Sequence, residues 1–234
     1  MAERGLSVFA LAPDFDEAKR FEARVLGAEP IEFSLSRTGM NPMRDAADML
    51  RLALLLHRLK PNIILVYAAK PVIYGTLAAW IAQIPSKYAM IEGLGYVFTT
   101  SECKEPLKRR ALRGMVLMLY AAALRHANLV FFLNRDDIDE FSKNRIIAPE
   151  KAFLRGGIGV NLVEWRPKPP TLKPVTFLLV ARLLREKGIV EYYKAARIVK
   201  QKHTQTRFIL IGGLDSNPGA LSHAEIEAWI AEGI

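Results

Sequence analysis

The chain is poor in cysteine, which limits how its fold can be stabilised. Cys103 is the single cysteine among 234 residues, so an internal disulfide bond is excluded. A protein without disulfide bonds fits a reducing compartment, where thiols stay reduced. We therefore expect a cytoplasmic protein.

Long apolar stretches are also missing. A helix that crosses a bilayer needs about 20 consecutive apolar residues, whereas the longest candidate, residues 115–124, is too short and is flanked by basic residues. Residues 1–5 lack the apolar core of a secretory signal peptide. The sequence thus predicts no spanning segment, and it leaves open a peripheral attachment to the inner face of the cell membrane.

Several motifs that identify common catalytic sites do not occur in the sequence. It contains no zinc-protease HExxH, no Cys/His cluster, no Walker sequence and no nucleophile elbow of the Gly-x-Ser-x-Gly type. These motifs therefore give no sign of a bound metal or cofactor. Nucleic acid is not expected as a partner either, because no basic pattern interleaved with aromatic residues occurs. The scattered histidines are interpreted as surface or cap residues: His57, His126, His203 and His223.

The composition is otherwise that of an ordinary globular protein, with 51% apolar and 24% charged residues. The net charge of +9 favours an anionic partner, such as an acidic lipid surface or a phosphorylated small molecule. Short apolar runs alternate with helical patterns, which is typical of β-α-β units with a parallel sheet. Predicted strands include residues 31–33, 63–68 and 176–180, and predicted helices include residues 41–60, 72–84 and 186–200.

Residues 165–174 contain four prolines, which neither a helix nor a central strand accepts. We predict a linker there, between an N-terminal Rossmann-like domain at residues 1–164 and a second α/β unit at residues 175–234. The second unit holds only two predicted strands and two helices, which is little for an independent core. We therefore expect a truncated second domain, and a first domain without its opening strand and turn.

Ligands of open α/β sheets bind beyond the carboxyl ends of the strands. Arg182 and Lys187 follow one predicted strand and flank a helix start, which suits a diphosphate. A solvated charged turn explains the same residues equally well. Gly212 and Gly213 follow the next predicted strand, where they permit a ligand to approach the backbone or simply form a tight turn.

Similar candidates follow strands in the first domain. Glu92 is compatible with a catalytic carboxylate or a group that orients a ligand, whereas Gly93 and Gly95 also fit a plain turn. Lys70 is placed to meet an anion or to be solvated at a loop edge. The basic start of a predicted helix at residues 105–126 fits either an anionic membrane surface or a core helix with a solvated first turn. Its basic residues are Lys108, Arg109, Arg110 and Arg113.

Five segments in a fixed order resemble the family 4 glycosyltransferases of the GT-B type, over nearly the whole chain. They are most similar to a PglA-like branch that acts on saccharides linked to undecaprenyl diphosphate. The segments are residues 36–42 (SRTGMNP), 91–95 (IEGLG), 160–162 (VNL) before Trp165, 180–188 (VARLLREKG) and 212–218 (GGLDSNP).

The resemblance implies an α/β GT-B fold with two Rossmann-like parallel-sheet domains and an active site in the cleft between them. It implies a retaining, metal-independent transfer of a sugar, an N-acetylhexosamine, from a UDP-sugar donor to a lipid-linked saccharide acceptor. Arg182 and Lys187 resemble the pair that holds the donor diphosphate, and Gly212 and Gly213 resemble the turn near the nucleoside. The acceptor side corresponds to Lys70, Glu92, Gly93, Gly95 and Tyr96.

Two other interpretations remain open at this point. Many family members carry a histidine where this chain has Glu92, and the family's E-x7-E segment is not found within residues 1–234. An inactive fragment that only binds a partner or a membrane therefore fits as well. A different GT-B-like enzyme, such as a sugar-nucleotide epimerase, agrees less well with the five ordered segments.

Overall fold

Parallel strands alternate with helices throughout the computed structural model, which describes residues 4–35, 41–94, 107–170, 172–215 and 219–233. The chain divides into two compact units, Met1–Ile158 and Gly159–Ile234. The strands are β1 (Val8–Ala12), β2 (Ala28–Glu32), β3 (Ile63–Tyr67), β4 (Ser86–Ile91), β5 (Leu129–Phe132), β6 (Ala152–Leu154), β7 (Thr176–Val180) and β8 (Arg207–Ile211). The α-helices are α1 (Glu17–Val25), α2 (Pro42–Leu59), α3 (Thr76–Ile81), α4 (Leu107–Leu124), α5 (Arg135–Lys143), α6 (Ile189–Lys202) and α7 (His223–Ala231).

Local signals explain the bounds of α2. The Asn41 side chain accepts a hydrogen bond from the Arg44 N–H at 3.2 Å, and Pro42 occupies the first helical turn, where its missing N–H has no cost. The helix ends at Lys60, which adopts a left-handed conformation with φ of 47° before Pro61. The helix predicted at residues 41–60 is therefore confirmed.

The first unit contains a four-stranded parallel sheet with the order β3-β4-β5-β6 and a separate parallel pair, β1-β2. Each connection in the larger sheet leads to the adjacent strand, always on the same side. Because such connections are right-handed, the intervening helices lie on one face of the sheet. That face carries the buried side chains, including Val66, Ala89, Val130 and Phe132. The opposite face leaves Leu65 44% and other apolar side chains similarly exposed.

Two local predictions differ from the structure. The strand expected at residues 31–33 is Ala28–Glu32, and it includes Pro30. Proline lacks an N–H, but among the described residues β2 pairs with β1 alone, and an edge strand tolerates this loss. The helix predicted at residues 72–84 begins instead as a π-helical turn, Pro71–Gly75, that continues into α3.

The second unit contains a parallel pair, β7-β8, in which Leu178 lies opposite Ile209. Helix α6 begins at Ile189, three residues later than predicted, because a 3-10 turn at Arg185–Lys187 precedes it. Helix α7 begins with a reciprocal capping box between Ser222 and Glu225. Five buried side chains form the core of this unit: Leu183, Leu184, Ile189, Ala196 and Leu221.

Candidate functional site

The loops that follow β7 and β8 are joined at the carboxyl edge of the second unit. The Ala181 N–H donates to the Ile211 carbonyl oxygen at 3.0 Å. Next to this bond, the Arg182 guanidinium donates to the Asp215 carboxylate at 3.1 Å, across 33 residues of sequence. The structure therefore brings two of the sequence-predicted segments to the same edge, where parallel sheets bind ligands.

Gly212 and Gly213 differ in what surrounds them. A Cβ atom on Gly212 would lie 1.9 Å from the Ala181 carbonyl oxygen, so any side chain there clashes with the backbone. The same position on Gly213 has nothing within 4 Å. The backbone of the loop after β7 thus makes the close approach that the sequence predicted at Gly212. Contact of either glycine with a donor stays a prediction.

Lys187 lies at the end of the 3-10 turn and is exposed. Gly188 joins this turn to α6 with a φ of +74°, a conformation that favours glycine. Among the described residues, no carboxylate lies within ion-pairing distance of Lys187. Helix α6 begins directly after this residue, and the start of a helix attracts anions.

The neighbouring Arg185 has a structural role. Its guanidinium donates to Glu225 at 2.5 Å, and the same carboxylate accepts the Ser222 N–H at 2.9 Å. The backbone hydrogen bond from Ser222, followed by the side-chain bonds from Arg185 and Ser222, lowers the pKa of Glu225 to about 2. Arg185 thus belongs to the cap of α7. The Arg182 side chain is 64% exposed beside Asp215, and Lys187 has no carboxylate partner among the described residues, so these two cations are accessible to an anionic ligand.

A groove of about 390 Å³ lies in the second unit between β8 and helices α6 and α7, and Gly212 of the candidate site is among the residues that line it. Its walls are aromatic and aliphatic, and Tyr193 stacks on Trp229 with 4.3 Å between ring centroids. No cation lines this groove, so it does not suit a diphosphate.

In the first unit, Lys70 lies just beyond the carboxyl end of β3 and is paired with a buried residue. Its ammonium donates to both carboxylate oxygens of Asp45, at 2.8 and 3.1 Å. The Tyr74 hydroxyl donates to the same carboxylate at 3.3 Å. Burial, followed by the charge of Asp45, raises the pKa of Tyr74.

The sequence analysis did not identify Asp45 as part of a site. Asp45 and Asp48 lie on the face of α2 that also buries Leu52 and Leu56. Helical spacing predicts apolar residues at these two positions. The acidic residues found there were the signal in the sequence that could have identified Asp45.

Glu92 and Gly93 follow β4 at the same edge of the first unit, and both are exposed. Gly93 has a φ of +151°, which favours glycine. Gly95 and Tyr96, the other acceptor-side candidates, lie outside the described residues. The roles of all four residues stay predictions.

Two curated proteins match nearly the whole chain. The N,N'-diacetylbacillosaminyl-diphospho-undecaprenol alpha-1,3-N-acetylgalactosaminyltransferase of Campylobacter jejuni is 28% identical over 236 residues, which cover 95% of this chain and 60% of the relative. The capsular polysaccharide biosynthesis glycosyltransferase CapM of Staphylococcus aureus is 22% identical over 227 residues, which cover 92% of this chain and 56% of the relative. The chain thus spans less than two thirds of either relative. No family model matches it.

These two matches decide the relationship that the five ordered segments predicted. Both relatives are named as glycosyltransferases, so the chain is similar to enzymes of this class over nearly its whole length. The fold agrees with the predicted GT-B type, since the S. aureus MnaA–UDP structure superposes with a TM-score of 0.51 at 16% identity, over 88% of this chain and 54% of that one. At such low identity the superposition shows only that the two folds are similar.

For the basic start of α4, the sequence left open an anionic membrane surface or a core helix with a solvated first turn. The side chains of Lys108 and Arg109 lie outside the described residues, and Arg110 is exposed. Arg113 is instead directed to helix α5, where its guanidinium donates to Glu140 at 2.6 Å. Membrane contact through this helix stays a prediction.

Among the helices of the described residues, none has the length and apolar character needed to cross a membrane. Across the same part of the chain, no three His, Cys, Asp or Glu side chains are grouped so that they could hold a metal ion.

Proposed function

We propose that the protein is a retaining glycosyltransferase that moves an N-acetylhexosamine from a UDP-sugar to a saccharide linked to a lipid diphosphate. The acceptor class is supported by the two relatives, whose names specify a diphospho-undecaprenol acceptor in one and capsular polysaccharide biosynthesis in the other. Because the chain spans 60% and 56% of these proteins, activity, substrates and partners are proposals for this chain.

The observation that carries the proposal is the position of Arg182 and Lys187 at the carboxyl edge of β7, beside the start of α6. When the bond between sugar and UDP breaks, negative charge grows on the leaving diphosphate. Fixed cations and helix N–H groups stabilise that charge more strongly in the transition state than in the bound donor, and this difference accelerates transfer. Asp215 keeps Arg182 in place before the donor arrives.

Calorimetric titration with UDP tests this assignment. Arg182→Ala should weaken UDP binding roughly 10- to 100-fold, because a hydrogen bond to a charged group contributes about 1.5–3 kcal/mol. Arg207→Ala is the matched control, since Arg207 is exposed at the opposite end of β8. Equal affinities of the wild type and Arg182→Ala would remove Arg182 from the donor site.

Transfer itself is measured with a radiolabelled UDP-N-acetylhexosamine and an undecaprenyl-diphosphate-linked saccharide, with and without EDTA. We expect product in both cases, because the proposed charge stabilisation uses side chains and a helix start rather than a metal. UDP binding without transfer would favour the alternative, a chain that binds substrates or partners but does not turn over.

A further inference from the structure

The ion pair between Lys70 and Asp45 is more deeply buried than the other candidate residues. The Lys70 side chain is 17% exposed and the Asp45 side chain 2%. Stability is a poor explanation for such a pair, because the desolvation of two buried charges offsets most of their attraction. Apolar residues of similar size commonly stabilise a core as well or better. A ligand-binding role explains the pair more directly.

The location of the pair points to a ligand. Lys70 follows β3 at the carboxyl edge of the sheet, the edge where ligands of α/β folds bind. Ala68, which begins the turn to Lys70, has a φ of +66°, a left-handed conformation that is strained for a residue with a side chain. Ala68 and Ala69 are both exposed. The Lys70 side chain itself is 17% exposed, so it keeps some access to solvent at this edge.

Hydrogen-bond geometry leaves Lys70 with capacity for one more partner. An ammonium group has three donors. Among the described residues, the acceptors of Lys70 are the two oxygens of one carboxylate, that of Asp45. These contacts use at most two N–H groups, so at least one is left to donate to a ligand.

The charge of the pair decides the kind of ligand. Asp45 neutralises Lys70, and the nearby Arg44 and Arg51 are directed towards a second buried carboxylate, Asp48. Because this pair is buried, water screens Asp45 little, and its charge would cancel part of the attraction between the ammonium and a diphosphate. The exposed pair of Arg182 and Asp215 is screened more strongly. An uncharged oxygen acceptor gains a full hydrogen bond from the ammonium without this repulsion.

We propose that Lys70 donates a hydrogen bond to an uncharged oxygen, a hydroxyl or N-acetyl carbonyl, of the acceptor saccharide, and that Asp45 is the residue that positions it. The diphosphate of the acceptor then lies elsewhere. This inference rests on the proposed function, and it replaces the sequence-based expectation that Lys70 meets an anion.

Two probes separate the alternatives: a free disaccharide of N-acetylhexosamines without diphosphate, and inorganic pyrophosphate. Lys70→Met should weaken binding of the disaccharide by roughly tenfold or more, as for the loss of one charge-assisted hydrogen bond. Asp45→Asn should also weaken it, because the ammonium loses its fixed orientation. Raising the salt concentration should change disaccharide binding little, since the ligand carries no charge.

Pyrophosphate gives the opposing outcome. If Lys70 served a diphosphate, Asp45→Asn would remove the repelling charge and tighten pyrophosphate binding, in a salt-sensitive way. That result would overturn the inference, and so would a wild-type chain that binds UDP but no disaccharide. Lys143→Met, at an exposed position of α5, is the control for charge removal elsewhere on the first unit.

Lys70→Met leaves the buried Asp45 without its cation, and the uncompensated charge destabilises the fold. The double variant Asp45→Asn with Lys70→Met removes both charges together, and it should retain the fold as judged by circular dichroism while still losing disaccharide binding. UDP titration of the same variants separates the two hypotheses. A wild-type chain that binds neither UDP nor the disaccharide would contradict the proposed function. A folded double variant that binds the disaccharide as well as the wild type does would contradict only the role of Lys70.

Discussion

The carbonyl oxygen of Ala181 occupies the space into which a side chain at position 212 would project. Gly212 therefore maintains the contact between the loops after β7 and β8, and this contact places Arg182 beside Asp215. A residue that fixes the backbone in this way supports a binding site without touching the ligand.

We expect Gly212→Ala to destabilise the chain by about 1–3 kcal/mol, because the added methyl group forces the two loops apart. Urea unfolding followed by circular dichroism measures the loss. Gly213→Ala is the matched control, and its free energy of unfolding should stay within about 0.5 kcal/mol of the wild type, since nothing lies within 4 Å of its Cβ position. Equal losses in the two variants would contradict the assigned contact.

At the scale of helices and strands, local signals were sufficient to predict α2, because Asn41 and Pro42 start the helix and Pro61 follows its end. The family resemblance and the parallel α/β fold were likewise predictable from ordered segments. The Lys70–Asp45 pair was not, because its members are 25 residues apart and meet only when α2 packs against the π-helical turn after β3. The bounds of β2 depend on pairing with β1, which a local pattern does not contain.

The two faces of the four-stranded sheet differ in burial, and a pair of phenylalanines measures the difference. Phe132 is fully buried on the face covered by helices, whereas Phe153 is 49% exposed on the opposite face. Phe132→Ala should cost about 3–5 kcal/mol, because it leaves a cavity against Phe141. Phe153→Ala should cost about 1 kcal/mol, the order of one aromatic pair with Phe131. Urea unfolding of both variants checks the ratio, and similar losses would mean that the exposed face is covered in solution.

At the scale of the whole molecule, the chain separates into units at residues 158 and 159, whereas the proline pattern predicted a linker at residues 165–174. The described residues between 159 and 174 form neither helix nor strand, and they are exposed. The hydrogen bonds of Asn161 are local, such as the one that its carbonyl oxygen accepts from the Trp165 N–H at 2.9 Å. Such a segment opens readily, because few contacts must break.

Two proteases with different specificities test this organisation. Thermolysin cleaves before apolar residues, and it should cut rapidly at Val160, Leu162 or Val163, whose side chains are 68–72% exposed. Trypsin should spare the adjoining stretch, because Arg166, Lys168 and Lys173 each precede a proline, which blocks cleavage. Mass spectrometry of samples taken at short times identifies the first cuts. Thermolysin cleavage within α2 or the strands of the four-stranded sheet at an earlier time than cleavage at residues 160–163 would contradict this prediction. It would mean that residues 159–174 are protected by contacts other than those described above. Cleavage before Val160, Leu162 or Val163 without loss of the two resulting fragments would establish that each unit resists proteolysis by its own packing.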